Sequence, residues 1–157
     1  MVQGLPRGAG PEEEALIAVD TNVLVYAFNS DEPQHREAWT LVTRLAEGPR
    51  PWGVPWPCTL EFLHTVTEPR FARPASVAVA LDFLDRLTAS PSMRMLLPTD
   101  DTSRVLREVL EESGVRGSHV HDAHIFALCL EHGVRELLTA DKGFRRFRGL
   151  KVRDPFR

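Results

Sequence analysis

The pattern of apolar residues along this chain predicts an α/β protein with a central parallel β-sheet flanked by α-helices. Three observations predict it. The continuous apolar run at residues 16–19 has the composition of a strand covered on both faces, and residues 137–140 form a second short strand-like run. Between such runs lie longer segments whose apolar residues recur at helical spacing. Strands that alternate with helices are joined by crossovers, and crossovers leave neighbouring strands parallel. At 157 residues the chain suits one domain able to bury about two-thirds of its unfolded surface.

Each element follows in order. Residues 16–19 form the first strand. Asp20-Thr21-Asn22 then supplies side chains that favour turns and helix N-caps, opening a short helix through Val23, Leu24, Tyr26, Ala27 and Phe28. A second helix spans residues 34–47, with Ala38, Leu41, Val42 and Leu45 at core spacing and Gly48-Pro49 as its stop. Prolines around Trp52 and Trp56 leave room for a short strand at 53–55. Residues 58–67 return to helical spacing through Leu60, Phe62, Leu63 and Val66, and Pro69 closes that helix. After an Arg- and Pro-rich loop at 70–75, Ser76 caps a helix running to about residue 89, with Val77, Ala80, Leu81 and Leu84 inward.

Residues 93–97 are the next strand. Asp100-Asp101-Thr102 caps a helix carrying Val105, Leu106, Val109 and Leu110, ended by Ser113-Gly114. Residues 117–121 read as a polar loop, and Asp122 starts a strongly apolar helix that Gly133 ends. A strand at 136–139, a Lys142-Gly143-Phe144 turn and a last strand at 150–152 complete the domain, which spans residues 16–157. Residues 1–15, rich in Gly, Pro, Arg and Glu, read as a mobile extension.

Composition removes several classes. No window carries the ~18 apolar residues of a membrane helix, and the first residues lack the apolar core of a secretory signal. Cys58 and Cys129 stand alone, without the paired spacing of zinc ligands, and read as buried thiols of a protein in the reducing cytoplasm. No G-x-G-x-x-G follows the first strand, which removes a dinucleotide site. Asn22 stands where a dehalogenase-type phosphatase needs a second aspartate. With a formal charge of −3 the whole chain is no general binder of nucleic acid, but residues 142–157 hold seven lysines and arginines against one acid, Asp154. That run suits a polyanionic substrate, with Arg145 and Arg146 as its backbone contacts, or it is a solvated face.

Four carboxylates sit where elements begin or end. Asp20 follows the first strand, Glu61 lies near the start of a helix, Asp122 opens another, and Asp141 follows the run 137–140. Taken singly, Asp20 and Asp122 also read as helix caps, Asp141 as a turn residue and Glu61 as a surface residue. Taken jointly, they fall where parallel α/β sheets build their sites. Four carboxylates in one cleft stay ionised only beside a shared cation. Oxygen ligands without cysteine favour Mg²⁺ or Mn²⁺, and such a site suits phosphodiester hydrolysis by metal-activated water. His119, His121 and His124 surround Asp122 as polar loop residues or as ligands of metal or phosphate; His64 reads as a half-buried structural histidine or as one facing the cleft. Trp52 and Trp56 read as packing residues, with stacking on unpaired bases as the other reading.

The runs at residues 17–26, 61–63, 121–125 with 131–133, and 138–144 together resemble PIN-domain nucleases, and most closely the VapC-type toxins of toxin–antitoxin systems. The resemblance spans about residues 16–153. It implies a PIN-like fold in which Asp20, Glu61, Asp122 and Asp141 surround Mg²⁺ or Mn²⁺ and cut cellular RNA, tRNA or rRNA, leaving 5′-phosphate and 3′-hydroxyl ends. Thr21, Asn22 and Thr139 match the small polar positions beside the acids. The family also implies a VapB-type antitoxin partner and a homodimer. A catalytically silent PIN module that binds RNA or protein is the alternative.

Overall fold

The computed structural model describes residues 15–157. The mobile extension expected at residues 1–15 therefore lies, but for residue 15, outside the described residues. Five strands form one sheet: β1 (Ile17–Val19), β2 (Trp52–Pro55), β3 (Met93–Leu96), β4 (Glu136–Leu138) and β5 (Lys151–Arg153). Their order is β3-β2-β1-β4-β5, and every neighbouring pair is parallel. β1 is central, with Ala18 opposite Gly53 on one side and Leu137 on the other.

The chain builds outward from β1 through β2 to β3, then returns to the far side of β1 for β4 and β5. The reversal falls between β1 and β4. In open α/β sheets a crevice opens at that point, outside the carboxyl ends of the two strands. The residues that follow β1 and β4 are Asp20 and the segment 139–141.

Six helices cover the sheet: α1 (Thr21–Phe28), α2 (His35–Glu47), α3 (Trp56–Thr67), α4 (Val77–Thr88), α5 (Thr102–Ser113) and α6 (His119–Glu131). A 3₁₀ turn spans Lys142–Arg146. β1 is apolar and fully buried along its length because helices cover both faces. In α6 Ile125, Phe126, Ala127, Leu128 and Cys129 are buried in succession, so this helix is enclosed on all sides. Trp52, Phe62 and Phe126 are the largest fully buried side chains, and Phe28, Phe62 and Phe83 pack ring against ring across α1, α3 and α4. Both cysteines are buried free thiols.

The structure corrects several expectations. α6 starts at His119, so residues 119–121, expected as loop, are helical, and Asp122 sits in the first turn rather than at its start. α3 starts at Trp56, which places Glu61 in its second turn. The acids expected to cap α5 do not: Asp101 makes no side-chain cap bond and instead pairs with Arg104 at 3.5 Å, while Thr99 N–H donates to Thr102 Oγ1. On α4 the inward stripe is Ala80, Phe83, Leu84 and Leu87, leaving Val77 and Leu81 exposed. Leu60, Leu97 and Trp56 are likewise exposed, because a helical period does not reveal which apolar residues find a partner. Among the described residues no helix is long and apolar enough to cross a membrane.

Candidate active site

Asp20, Glu61, Asp122 and Asp141 line one cleft of about 370 Å³ at the crevice between β1 and β4. Each arrives by a different route. Asp20 is the N-cap of α1, its Oδ1 accepting the Thr21 N–H at 2.8 Å. Glu61 reaches in from α3 and Asp122 from the first turn of α6. Asp141 caps the 3₁₀ turn, accepting the Gly143 N–H at 2.7 Å. The capping expected of Asp20 and its placement at a common cleft are therefore both present.

Asp20 is held most firmly. Only 4% of it is exposed. Its Oδ2 accepts from Thr139 Oγ1 at 2.7 Å and Asn22 Nδ2 at 3.0 Å, and its Oδ1 faces the Cys58 thiol at 3.6 Å. Every neighbour donates, so the surroundings are built for an acceptor with no proton of its own. Burial opposes them: desolvation pushes the Asp20 carboxyl up to about 6, the bonds from Thr139 and Thr21 pull it down, and the charge of Glu61 raises it again. The Cys58 thiol is pushed well up by burial and by Asp20, so it stands there as a neutral donor.

Two further bonds lock the frame. Thr21 Oγ1 donates to Glu61 Oε2 at 2.6 Å, and Asn22 Oδ1 accepts the Ala140 N–H at 3.1 Å. Thr139 Oγ1 accepts from Asn22 Nδ2 and the Asp141 N–H, each at 3.0 Å. Glu32 and Tyr26 also line the cleft, whose wall holds no lysine or arginine among the described residues. Nothing in the sequence marks Cys58 as a hydrogen-bond donor, since an isolated cysteine reads only as a buried thiol. Nor does anything there mark Glu32 apart from an ordinary surface acid.

Other expectations resolve differently. His64 is 78% exposed and sits 4.0 Å from Glu68, neither half-buried nor in the cleft. His119 Nδ1 lies 3.4 Å from Asp122 Oδ2. Arg70 and Arg73 are exposed loop residues, Arg73 pairing with Asp31 at 3.0 Å. The basic C-terminal run is partly neutralised: Lys151 and Arg153 pair with Glu136, and Arg157 pairs with Asp154. Arg145 and Arg146 are both exposed, and Arg146 Nε donates to Gly143 O at 2.9 Å.

The donor set fits a hard divalent cation. It is all oxygen, it is acidic, and the raised Asp20 carboxyl is the sign of a buried carboxylate beside another without a counter-charge. Among the described residues no three acidic, histidine or cysteine side chains stand close enough together to hold a metal ion between them. Mg²⁺ characteristically uses one or two carboxylates and keeps its waters, leaving room for substrate phosphate, so an open cleft is the matching geometry. A larger concavity of about 580 Å³ lies elsewhere, between α2 and α4, where Phe28, Trp39, Val42, Val79 and Phe83 make an apolar wall. Its lining offers no comparable set of acids.

Comparison with known proteins agrees with this architecture. The model of the PIN domain matches residues 17–150. Ribonuclease VapC48 of Mycobacterium tuberculosis is 36% identical over 138 residues, covering 87% of this chain and 95% of that protein. Among solved structures, VapBC2 from Rickettsia felis, bound to a DNA fragment from its promoter, superimposes with a TM-score of 0.63 at 17% identity, over 88% of this chain and 97% of that one. VapC20 of Mycobacterium tuberculosis, a toxin that cleaves the sarcin–ricin loop, gives 0.61 at 19% identity, over 82% and 92%. At those identities the two structures speak for the fold.

Proposed function

The chain belongs to the PIN-domain family, among its VapC ribonucleases, and on that footing we propose that it is the endoribonuclease toxin of a VapBC-type pair. Residues 16–157 form the catalytic domain. It hydrolyses phosphodiester bonds of cellular RNA, tRNA or rRNA, in the cytoplasm, and leaves 5′-phosphate and 3′-hydroxyl ends. The observation that carries the reading is the acidic cleft at the strand reversal, where carboxylates from four separate elements face one space.

Asp20, Asp122, Asp141 and Glu61 are the residues to hold the divalent ion, Mg²⁺ or Mn²⁺. A bound divalent ion supplies charge neutralisation at the scissile phosphate and acidifies water. The chain's own contribution is alignment. Thr139, Asn22 and Thr21 N–H fix both oxygens of Asp20, and Thr21 Oγ1 fixes Glu61, so two carboxylates are oriented before substrate arrives. Asp141 is anchored by Gly143 N–H through Oδ1, leaving Oδ2 toward the cleft without a protein hydrogen-bond partner among the described residues. The acidic wall repels a bare phosphodiester, so entry of the scissile phosphate into this cleft is conditional on the ion.

The partner follows from the other concavity. Trp39 and Val79 are more than half exposed beside the α2–α4 groove, an apolar surface of the kind that marks protein contacts. An apolar segment of the cognate VapB-type antitoxin is its occupant, laid in the groove as a peptide helix is. A homodimer is the expected toxin assembly.

The test is RNA cleavage by purified protein with Mg²⁺ or Mn²⁺, against chelator and against Asp122→Asn. Cutting that needs the ion and is lost in the variant supports the reading. RNA binding without cleavage by the metal-loaded wild type would favour the silent module.

A further inference from the structure

We infer that Arg116, His119 and Arg146 form a phosphate-binding subsite that holds the RNA backbone beside the acidic cleft. The inference rests on the ribonuclease reading and adds where the strand runs once it leaves the acids. The three side chains line a second cavity of about 470 Å³, walled otherwise by residues 113–115, with no acid in its lining. The acidic cleft has the opposite character, with five acids and no lysine or arginine.

Two joints connect them. His119 lines the basic cavity while its Nδ1 sits 3.4 Å from Asp122 Oδ2. Arg146 belongs to the 3₁₀ turn that Asp141 caps. An acid of the cleft and a wall of the basic cavity thus share an element on each side.

The cavity is built rather than incidental. Arg116 lies between Gly114 and Gly117, both at φ +65°, a left-handed conformation that other residues adopt only with strain. Those two turns carry the chain from α5 to α6, and Arg116 between them lines the same cavity as Arg146. Arg146 Nε is tied to Gly143 O at 2.9 Å, which fixes the root of the guanidinium; its terminal nitrogens have no partner among the described residues. Arg116 has no carboxylate partner among them either. Lys151, Arg153 and Arg157, by contrast, are already paired with acids.

The chemistry selects phosphate. Two guanidiniums that line one cavity and pair with no carboxylate among the described residues present forked donors suited to phosphate oxygens. A polyanion drawn into an acidic cleft by a cation needs positive charge beside it to bind its neighbouring phosphates.

The experiment is anisotropy of a labelled short single-stranded RNA in EDTA, over a range of salt, with wild type, Arg116→Gln/Arg146→Gln and Arg94→Gln. Arg94 lies on β3, bonded to Pro91 O, away from both cavities, and serves as the control for lost surface charge. The double variant should lose about tenfold in affinity at low salt and reduce the slope of log affinity on log salt by roughly 0.7 per phosphate released, while Arg94→Gln binds as wild type does. Affinity and slope in the double variant equal to those of wild type would overturn the subsite. Cleavage of the same RNA with Mg²⁺ keeps the two ideas apart. A wild type that binds through these arginines without cutting leaves the subsite standing and sinks the nuclease reading.

Discussion

Thr139 Oγ1 donates to Asp20 and accepts from both Asn22 Nδ2 and the Asp141 N–H, so one hydroxyl ties together residues from β1, α1 and the segment after β4. Thr139→Val keeps the shape and deletes all three bonds, leaving two donors unmatched. It should lower unfolding stability by about 1–3 kcal/mol and weaken divalent-ion binding, while Thr139→Ser retains both; urea melts and calorimetric titration with Mn²⁺ measure this. Asp20 adds a pH signature. Its folded carboxyl keeps its proton up to about 6 against the usual 3.8, so protonation favours the folded state. That contribution is complete below pH 3.8 and lost as pH rises through about 6, a cost of ~3 kcal/mol to the metal-free protein. Melting in chelator should therefore show stability falling between about pH 4 and 6 and levelling off above, more steeply than in Asp20→Ala. Adding Mg²⁺ should raise the midpoint at pH 7.5 and barely at pH 5; equal stabilisation at both would remove Asp20 from the ligand set.

At the scale of elements, ends matter more than interiors. α4 begins where Ser76 Oγ accepts the Val79 N–H at 3.2 Å, and Ser76→Ala should cost about 1 kcal/mol in thermal or urea unfolding without altering cleavage. α5 ends at Gly114 in a left-handed turn whose Cβ position is open, so Gly114→Ala is strained by conformation alone and should cost roughly 1 kcal/mol by the same measurement. The sequence placed both of these boundaries, because caps and glycine stops are local chemistry. It misplaced the start of α6 because His119, Val120 and His121 carry no helix signal of their own; Ala123, Phe126 and the buried face behind them extend the helix backward by a turn. It likewise put Val77 and Leu81 inward, since apolar spacing on α4 fits two adjacent stripes and only packing against Phe28 and Phe62 selects the one containing Phe83.

Across the whole molecule, the proposed chemistry and the proposed partner contact fall in two separate concavities: the acidic cleft at the strand reversal, and the apolar groove between α2 and α4. They should separate in mutants. Trp39→Asp places a charge on the groove wall, and should leave RNA cleavage unchanged while abolishing neutralisation by the co-expressed antitoxin, read as growth in a strain carrying both genes. Continued neutralisation would put the antitoxin elsewhere.

What the sequence determined by itself is the alternation of elements, the parallel sheet that alternation requires, and the capping positions of Asp20 and Asp141, all of which are set by neighbours a few residues apart. Tertiary structure alone decided that Asp20, Glu61, Asp122 and Asp141 share one space, that Cys58 turns its thiol to Asp20, that Lys151 and Arg153 are taken up by Glu136, and that Arg116 and Arg146 line one cavity. Those facts depend on pairings between distant segments, and no local periodicity or spacing encodes which distant side chains will meet once the sheet closes.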